Sequence, residues 1–142
     1  MSAQSTEQEI LSVLEEDAQA SYAEIAERAG VSKPTVRKYI QQLEEEGVIV
    51  GYSADVDPKK LSGQSIALVG IEVESEQYVE VTRALTDVAA VEALYTSSGD
   101  HMLMAEVRAA DGGALGDVIE EEIMGVAGVS AAHPSFLQER LK

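Results

Sequence analysis

Apolar positions recur at helical spacing three times before residue 47, and then the period changes. Over residues 6–16, Ile10, Leu11 and Leu14 share one face, and Thr6 followed three residues later by Glu9 offers a capping box. A second pattern begins at Ser21, whose spacing to Glu24 repeats that signature. Its apolar residues Ile25, Ala26 and Ala29 stop at Gly30, a residue suited to end a helix. The third pattern is capped by Ser32, accepts Pro34 in its first turn and sets Val36, Ile40 and Leu43 on one stripe before Gly47. Small Ala26 at the helix crossing, Gly30 at the turn and Val36 packing back have the spacing of a helix-turn-helix. Any three-helix bundle is the plain alternative.

Beyond Gly47, residues 48–56 read as a strand and residues 57–63, Asp-Pro-Lys-Lys-Leu-Ser-Gly, as a turn-rich linker. The second half alternates: a strand over 66–74, a helix over 76–86 with Val81, Ala84 and Leu85 inward, and a strand over 91–97. A turn at 98–100 leads to a strand over 101–108, a helix over 114–123 carrying Leu115, Val118, Ile119 and Glu122, and a last strand over 129–139. The order βαββαβ is the ferredoxin-like arrangement, an antiparallel sheet with both helices on one face. The other face needs a cover, because so small a two-layer module buries little alone, and dimerisation is the simplest one. The fold expected is α+β, with a winged helix-turn-helix domain at 1–52, a strand and hinge at 53–63, and the ferredoxin-like domain at 64–142.

Composition alters this picture in two ways. The chain of 142 residues carries 26 Asp and Glu against 10 Lys and Arg, a net charge of −16 that argues against a nucleic-acid partner, whose phosphates are met by Lys and Arg. Acidic residues are spread through nearly every segment and Lys is scarce, the style of salt-in halophiles, whose carboxylates keep the surface hydrated in molar salt. An ordinary acidic protein is the alternative. With no cysteine there is no disulfide framework or thiolate metal site. With no apolar run of membrane length and no signal-peptide pattern at the start, a cytoplasmic protein with no membrane role is expected.

One window escapes the acidic bias. From Arg28 to Leu43 there is no acidic residue, while Arg28, Lys33, Arg37 and Lys38 make it +4. With Val36, Ile40 and Leu43 turned inward, Pro34, Thr35, Arg37, Lys38 and Gln41 face outward. Thr35, Arg37, Lys38, Gln41 and Gln42 are residue types that contact bases or phosphates in a major groove. Ser32 and Lys33 sit at the helix N-terminus, which favours a phosphate, and Glu44, Glu45 and Glu46 mark where the helix leaves the duplex. The DNA-binding set expected is therefore Arg28, Ser32, Lys33, Pro34, Thr35, Arg37, Lys38, Gln41 and Gln42.

On these residues the chain resembles the Lrp/AsnC (feast/famine) family of transcription regulators. The run from Ala26 to Val36, the ending Leu43-Glu44-Glu45-Glu46-Gly47-Val48-Ile49, the pair Gly51-Tyr52 and the segment Val56-Asp57-Pro58-Lys59-Lys60-Leu61 are similar to that family's DNA-binding domain and hinge. The second half resembles its RAM effector and oligomerisation domain. The resemblance implies a dimer built from two RAM sheets, assembly up to octamers, and a small effector such as an amino acid bound between dimers. It also implies an effector site near the turn before the third RAM strand, here Ser98, Gly99, Asp100, His101 and Met102. Gly99 matches the family's Gly-x-x-Asp pattern, but Met102 stands in place of the Asp, a departure that bears on which ligand is taken.

His101 and His133, the only histidines, are expected beside sheet ends as satisfied or exposed side chains, with no metal site and no cofactor. Met102 and Met104 read as sheet-face packing at the dimer interface. No nucleophile elbow, phosphate loop or HExxH motif appears, so an enzyme is not expected. A sequence-specific DNA-binding regulator leads; an effector-binding oligomeric scaffold acting through protein contacts is the alternative.

Overall fold

The computed structural model describes residues 2–57, 60 and 63–142, which fall into two compact units, Met1–Asp55 and Val56–Lys142. In the first unit, α1 (Ala3–Glu16) starts one turn earlier than the Thr6 signal suggested. Ser2 is its cap, accepting from the Ser5 N–H at 3.2 Å. Thr6 is instead buried inside the first turn, its hydroxyl donating to the Ser2 carbonyl. Helix α2 (Tyr22–Ala29) is capped by Ser21 and ends on Gly30 at φ 69°, a left-handed conformation that costs other residues steric energy. Helix α3 (Lys33–Glu45) opens on Ser32 with Pro34 in its first turn. Ile10, Val13, Ile25, Ala26, Ala29, Val36 and Ile40 form the common core, the two alanines letting α2 and α3 approach closely.

The strand expected over 48–56 does not form. Its alternation is present, but no strand lies beside it among the described residues of its unit, and a strand without a ladder partner has no hydrogen bonds to hold it. The segment is pinned instead by side chains, with the Tyr52 hydroxyl donating to Glu44 Oε1 at 3.1 Å. Of the expected linker, Pro58, Lys59, Leu61 and Ser62 lie outside the described residues.

The second unit runs β1 (Ser65–Val73), a single 3₁₀ turn (Ser75–Gln77), α4 (Tyr78–Thr86), β2 (Val91–Thr96), β3 (Leu103–Ala109), α5 (Gly112–Asp117) continued by a wider π turn (Val118–Ile123), and β4 (Val129–Phe136). The strands order β2-β3-β1-β4, all antiparallel. Ala67, Val69, Ile71 and Val73 of β1 alternate inward with Leu103, Ala105 and Val107 of β3 against Val81, Leu85, Leu115, Ile119 and Ile123 of the helices. Each such large side chain contributes about 1.5–3 kcal/mol on burial. The last predicted helix is thus bent into two parts, with Leu115, Ile119 and Ile123 still facing the sheet while Glu122 is exposed. His101 and Met102 precede β3 rather than opening it.

By the same alternation Leu68, Gly70 and Glu72 of β1, Met104, Glu106 and Arg108 of β3, and Tyr95 of β2 lie on the face that carries no helix. His133 of β4 joins them, opposite Gly70 in mid-strand rather than at a sheet end. Leu68 and Tyr95 are 40% and 65% exposed there, a large apolar area left open on one side of a sheet.

Candidate nucleic-acid interface and effector turn

Helix α3 buries Val36, Ile40 and Leu43, and that one stripe decides what its other side presents. Lys33, Arg37 and Gln41, each one turn apart, form one exposed ridge, and Pro34, Lys38 and Gln42 form the next. From Lys33 to Gln42 the ridges run about 13 Å at 1.5 Å per residue, close to the width of a DNA major groove of about 12 Å. In sequence, this surface of three cations and two amides carries no carboxylate before Glu44.

The remaining residues of the expected set have other duties. Ser32 Oγ accepts from the Thr35 N–H at 3.3 Å and lies 2.8 Å from Thr35 Oγ1, so both hydroxyls build the cap. Pro34 has no N–H, and the exposed Lys33 ammonium lies at the same terminus. Arg28 sits on α2 and pairs with Glu16 of α1 at 2.7 Å. The hydrogen bond that the Arg28 guanidinium donates to Glu16, and then the charge of Glu16, hold it more firmly protonated than usual. Its charge is locally answered, whereas Lys33, Arg37 and Lys38 form no ion pair among the described residues.

Tyr22 is the residue that sequence reasoning missed. The Arg37 guanidinium lies 5.8 Å from the centre of the Tyr22 ring, a cation–π contact that orients it outward from the first turn of α2. The only sequence signal was an aromatic residue just after a helix cap. Tyr52 has its hydroxyl pushed above its ordinary pKa, by partial burial first and by its hydrogen bond to Glu44 second.

In the second unit, the turn expected to meet an effector is closed at its base by the Ser97 N–H donating to the Met102 carbonyl at 3.0 Å. Ser98, Gly99 and Asp100 are exposed, with the Gly99 N–H donating to Ser97 Oγ at 3.2 Å. Met102 packs against the sheet core. His101 instead folds over β1, where its Nδ1 lies 2.5 Å from Glu72 Oε1 and its ring stacks on His133 with centroids 4.8 Å apart. One ligand atom each from Glu72, His101 and His133 fits within 4.8 Å of the others. Glu72 was invisible to sequence reasoning because only strand register brings it to the histidines.

At the opposite end of β1 a concavity of about 730 Å³ is lined by Gln64, Ile66, Leu68, Arg108, Phe136 and Arg140, among others. Gln64 Oε1 and Arg108 Nε are buried there without a hydrogen-bond partner among the described residues.

Comparison with known proteins agrees with this division. Residues 4–50 match a family described as winged helix-turn-helix DNA-binding, and residues 66–142 match the Lrp/AsnC ligand binding domain. The chain is 78% identical over 142 residues, all of both chains, to the HTH-type transcriptional regulator LrpA1 of Halobacterium salinarum. It is 40% identical over 133 residues to the HTH-type transcriptional regulator LrpA of Pyrococcus horikoshii, covering 94% of each chain. Among solved structures, the leucine response regulatory protein LrpA of Mycobacterium tuberculosis superposes with a TM-score of 0.82 at 26% identity, over 96% of this chain and 93% of that one.

Proposed function

The chain belongs to the Lrp/AsnC family of DNA-binding transcription regulators and is not an enzyme, and we propose that α3 is the helix that reads its operator. Lys33 and Lys38 meet phosphates, and Arg37, oriented by Tyr22, meets base edges together with Gln41 and Gln42. The observation that carries this is the exposed, uncompensated basic face of α3 in a chain of −16. Ser32, Pro34 and Thr35 set the start of the helix, and Arg28 braces α2 against α1. Residues 1–52 form the DNA-binding part, 53–63 the hinge and 64–142 the effector and assembly part.

Two copies pair through the helix-free sheet faces. The exposed Leu68 and Tyr95 support this, since a second sheet would cover them. The effector is a small molecule of the amino-acid class, a reading supported by the ligand binding domain and by the leucine-response name of the Mycobacterium tuberculosis relative. No helix among the described residues is long and apolar enough to cross a membrane.

The test is selection of operator duplexes from a random pool by the full chain, followed by fluorescence anisotropy with and without each of the common amino acids. Enrichment of one sequence, lost in the Arg37→Ala chain, supports the reading. Enrichment that survives both Arg37→Ala and Lys38→Ala overturns the docking.

A further inference from the structure

We infer that Glu72, His101 and His133 form a site for a divalent transition-metal ion of the zinc class, on the helix-free face of the sheet. Two imidazoles and one carboxylate are a donor set that zinc takes, leaving a fourth position for water or another donor. The three come from three places: the end of β1, the turn before β3, and mid-β4. Both histidines of the chain meet here, although 31 residues separate them.

The backbone around the cluster is built to admit it. Gly70 lies in the interior of β1 with no positive φ to require glycine, yet a Cβ there would run into the His101 ring. Interior strand glycine weakens a strand, so its place here is explained by the ring laid upon it. The ladder also slips beside the cluster: Glu72 pairs with Ala131 and Val73 with Val129, leaving Ser130 as an extra residue. Such bulges re-aim neighbouring side chains.

The three ligand atoms bracket the spacing an ion requires. Donors around tetrahedral zinc, bonded at about 2.0–2.1 Å, lie about 3.3 Å apart. The Glu72–His101 contact of 2.5 Å is shorter than that, and the spread of the three ligand atoms reaches up to 4.8 Å. An ion would draw the three atoms to that spacing through rotation of the Glu72, His101 and His133 side chains. A pair of Glu72 with His101 would be complete without His133, whose ring nevertheless stacks into place and brings the second imidazole. The field of a −16 chain raises the local concentration of cations, and a bound ion would tie the turn carrying Ser98, Gly99 and Asp100 to β1 and β4.

The experiment is isothermal titration of zinc chloride into the full chain in molar KCl, with excess magnesium to occupy surface carboxylates that bind cations without selectivity. One zinc per chain is expected. His133→Ala, with fold and assembly checked by circular dichroism and sedimentation, and Glu72→Gln, which keeps a hydrogen bond to His101, should each weaken binding at least about tenfold. Gly70→Ala should do the same by displacing the ring. Cobalt in place of zinc should give a visible absorption band that His133→Ala removes. Zinc binding that is absent in the parent chain, or unchanged in both His133→Ala and Glu72→Gln, overturns the site. None of these readouts involves DNA, so the outcome stands apart from that of operator binding.

Discussion

Replacing Lys38 by Ala removes one exposed cation from the outer ridge of α3 and touches nothing buried. In a two-fold dimer the loss occurs at two half-sites, and each lost phosphate contact lowers the slope of log K against log salt by about 0.9, about 1.8 in all. Over a tenfold range of KCl that amounts to a factor of about 60. The variant should therefore bind its operator far more weakly than the parent near 0.1 M salt, and the two should converge towards molar salt. Arg37→Ala should behave otherwise, since a bidentate base contact is worth about 1–3 kcal/mol at either salt. The assay is fluorescence anisotropy on one operator duplex across a KCl series, with sedimentation showing the same assembly and circular dichroism the same fold at each point. Parallel salt plots for parent and Lys38→Ala would refute phosphate contact by this residue. If Lys33, Arg37 and Lys38 all met phosphate at both half-sites, the parent slope would be about −5. Carboxylates near the duplex, beginning with Glu44, should take up cations on binding and make the measured slope shallower.

Local geometry sets three further outcomes. Gly30→Ala should destabilise the helical unit by about 1–2 kcal/mol through its left-handed backbone alone, because the added Cβ meets nothing within 4 Å; a thermal melt equal to the parent's would contradict the turn geometry. Ile25→Ala should cost about 2–5 kcal/mol, read as denaturant midpoint, since Ile25 is fully buried between the helices. The Tyr52 hydroxyl is raised above its ordinary value, so its contribution is whole below the unfolded pKa near 10 and is lost as pH rises through the higher folded one. Tyr52→Phe should then flatten the alkaline fall in stability above about pH 10, modestly because the ring is half exposed.

The sequence alone determined the helices of the first unit and the alternation of the second, because those signals act within a few residues. Ser21 caps α2 and Ser32 caps α3, Gly30 ends α2, and the stripe of Val36, Ile40 and Leu43 leaves only one side of α3 for Lys33, Arg37 and Lys38. Where two local signals competed, sequence reasoning chose wrongly: Ser2 prevails over Thr6 as the cap of α1 because it adds a turn and lets Thr6 turn inward. Alternation over residues 48–56 announced a strand, but a strand is a property of two segments, and that unit supplies no second one among the described residues. Tertiary structure decided everything that depends on register. It laid the Arg37 guanidinium against Tyr22, answered Arg28 with Glu16, and packed Met102 against the sheet core while Ser98 stayed exposed. Most of all, antiparallel pairing brought Gly70 opposite His133 and left room for His101 above it. A shift of one residue would turn Glu72 to the other face, so no reading of periods along the chain can place these three side chains together.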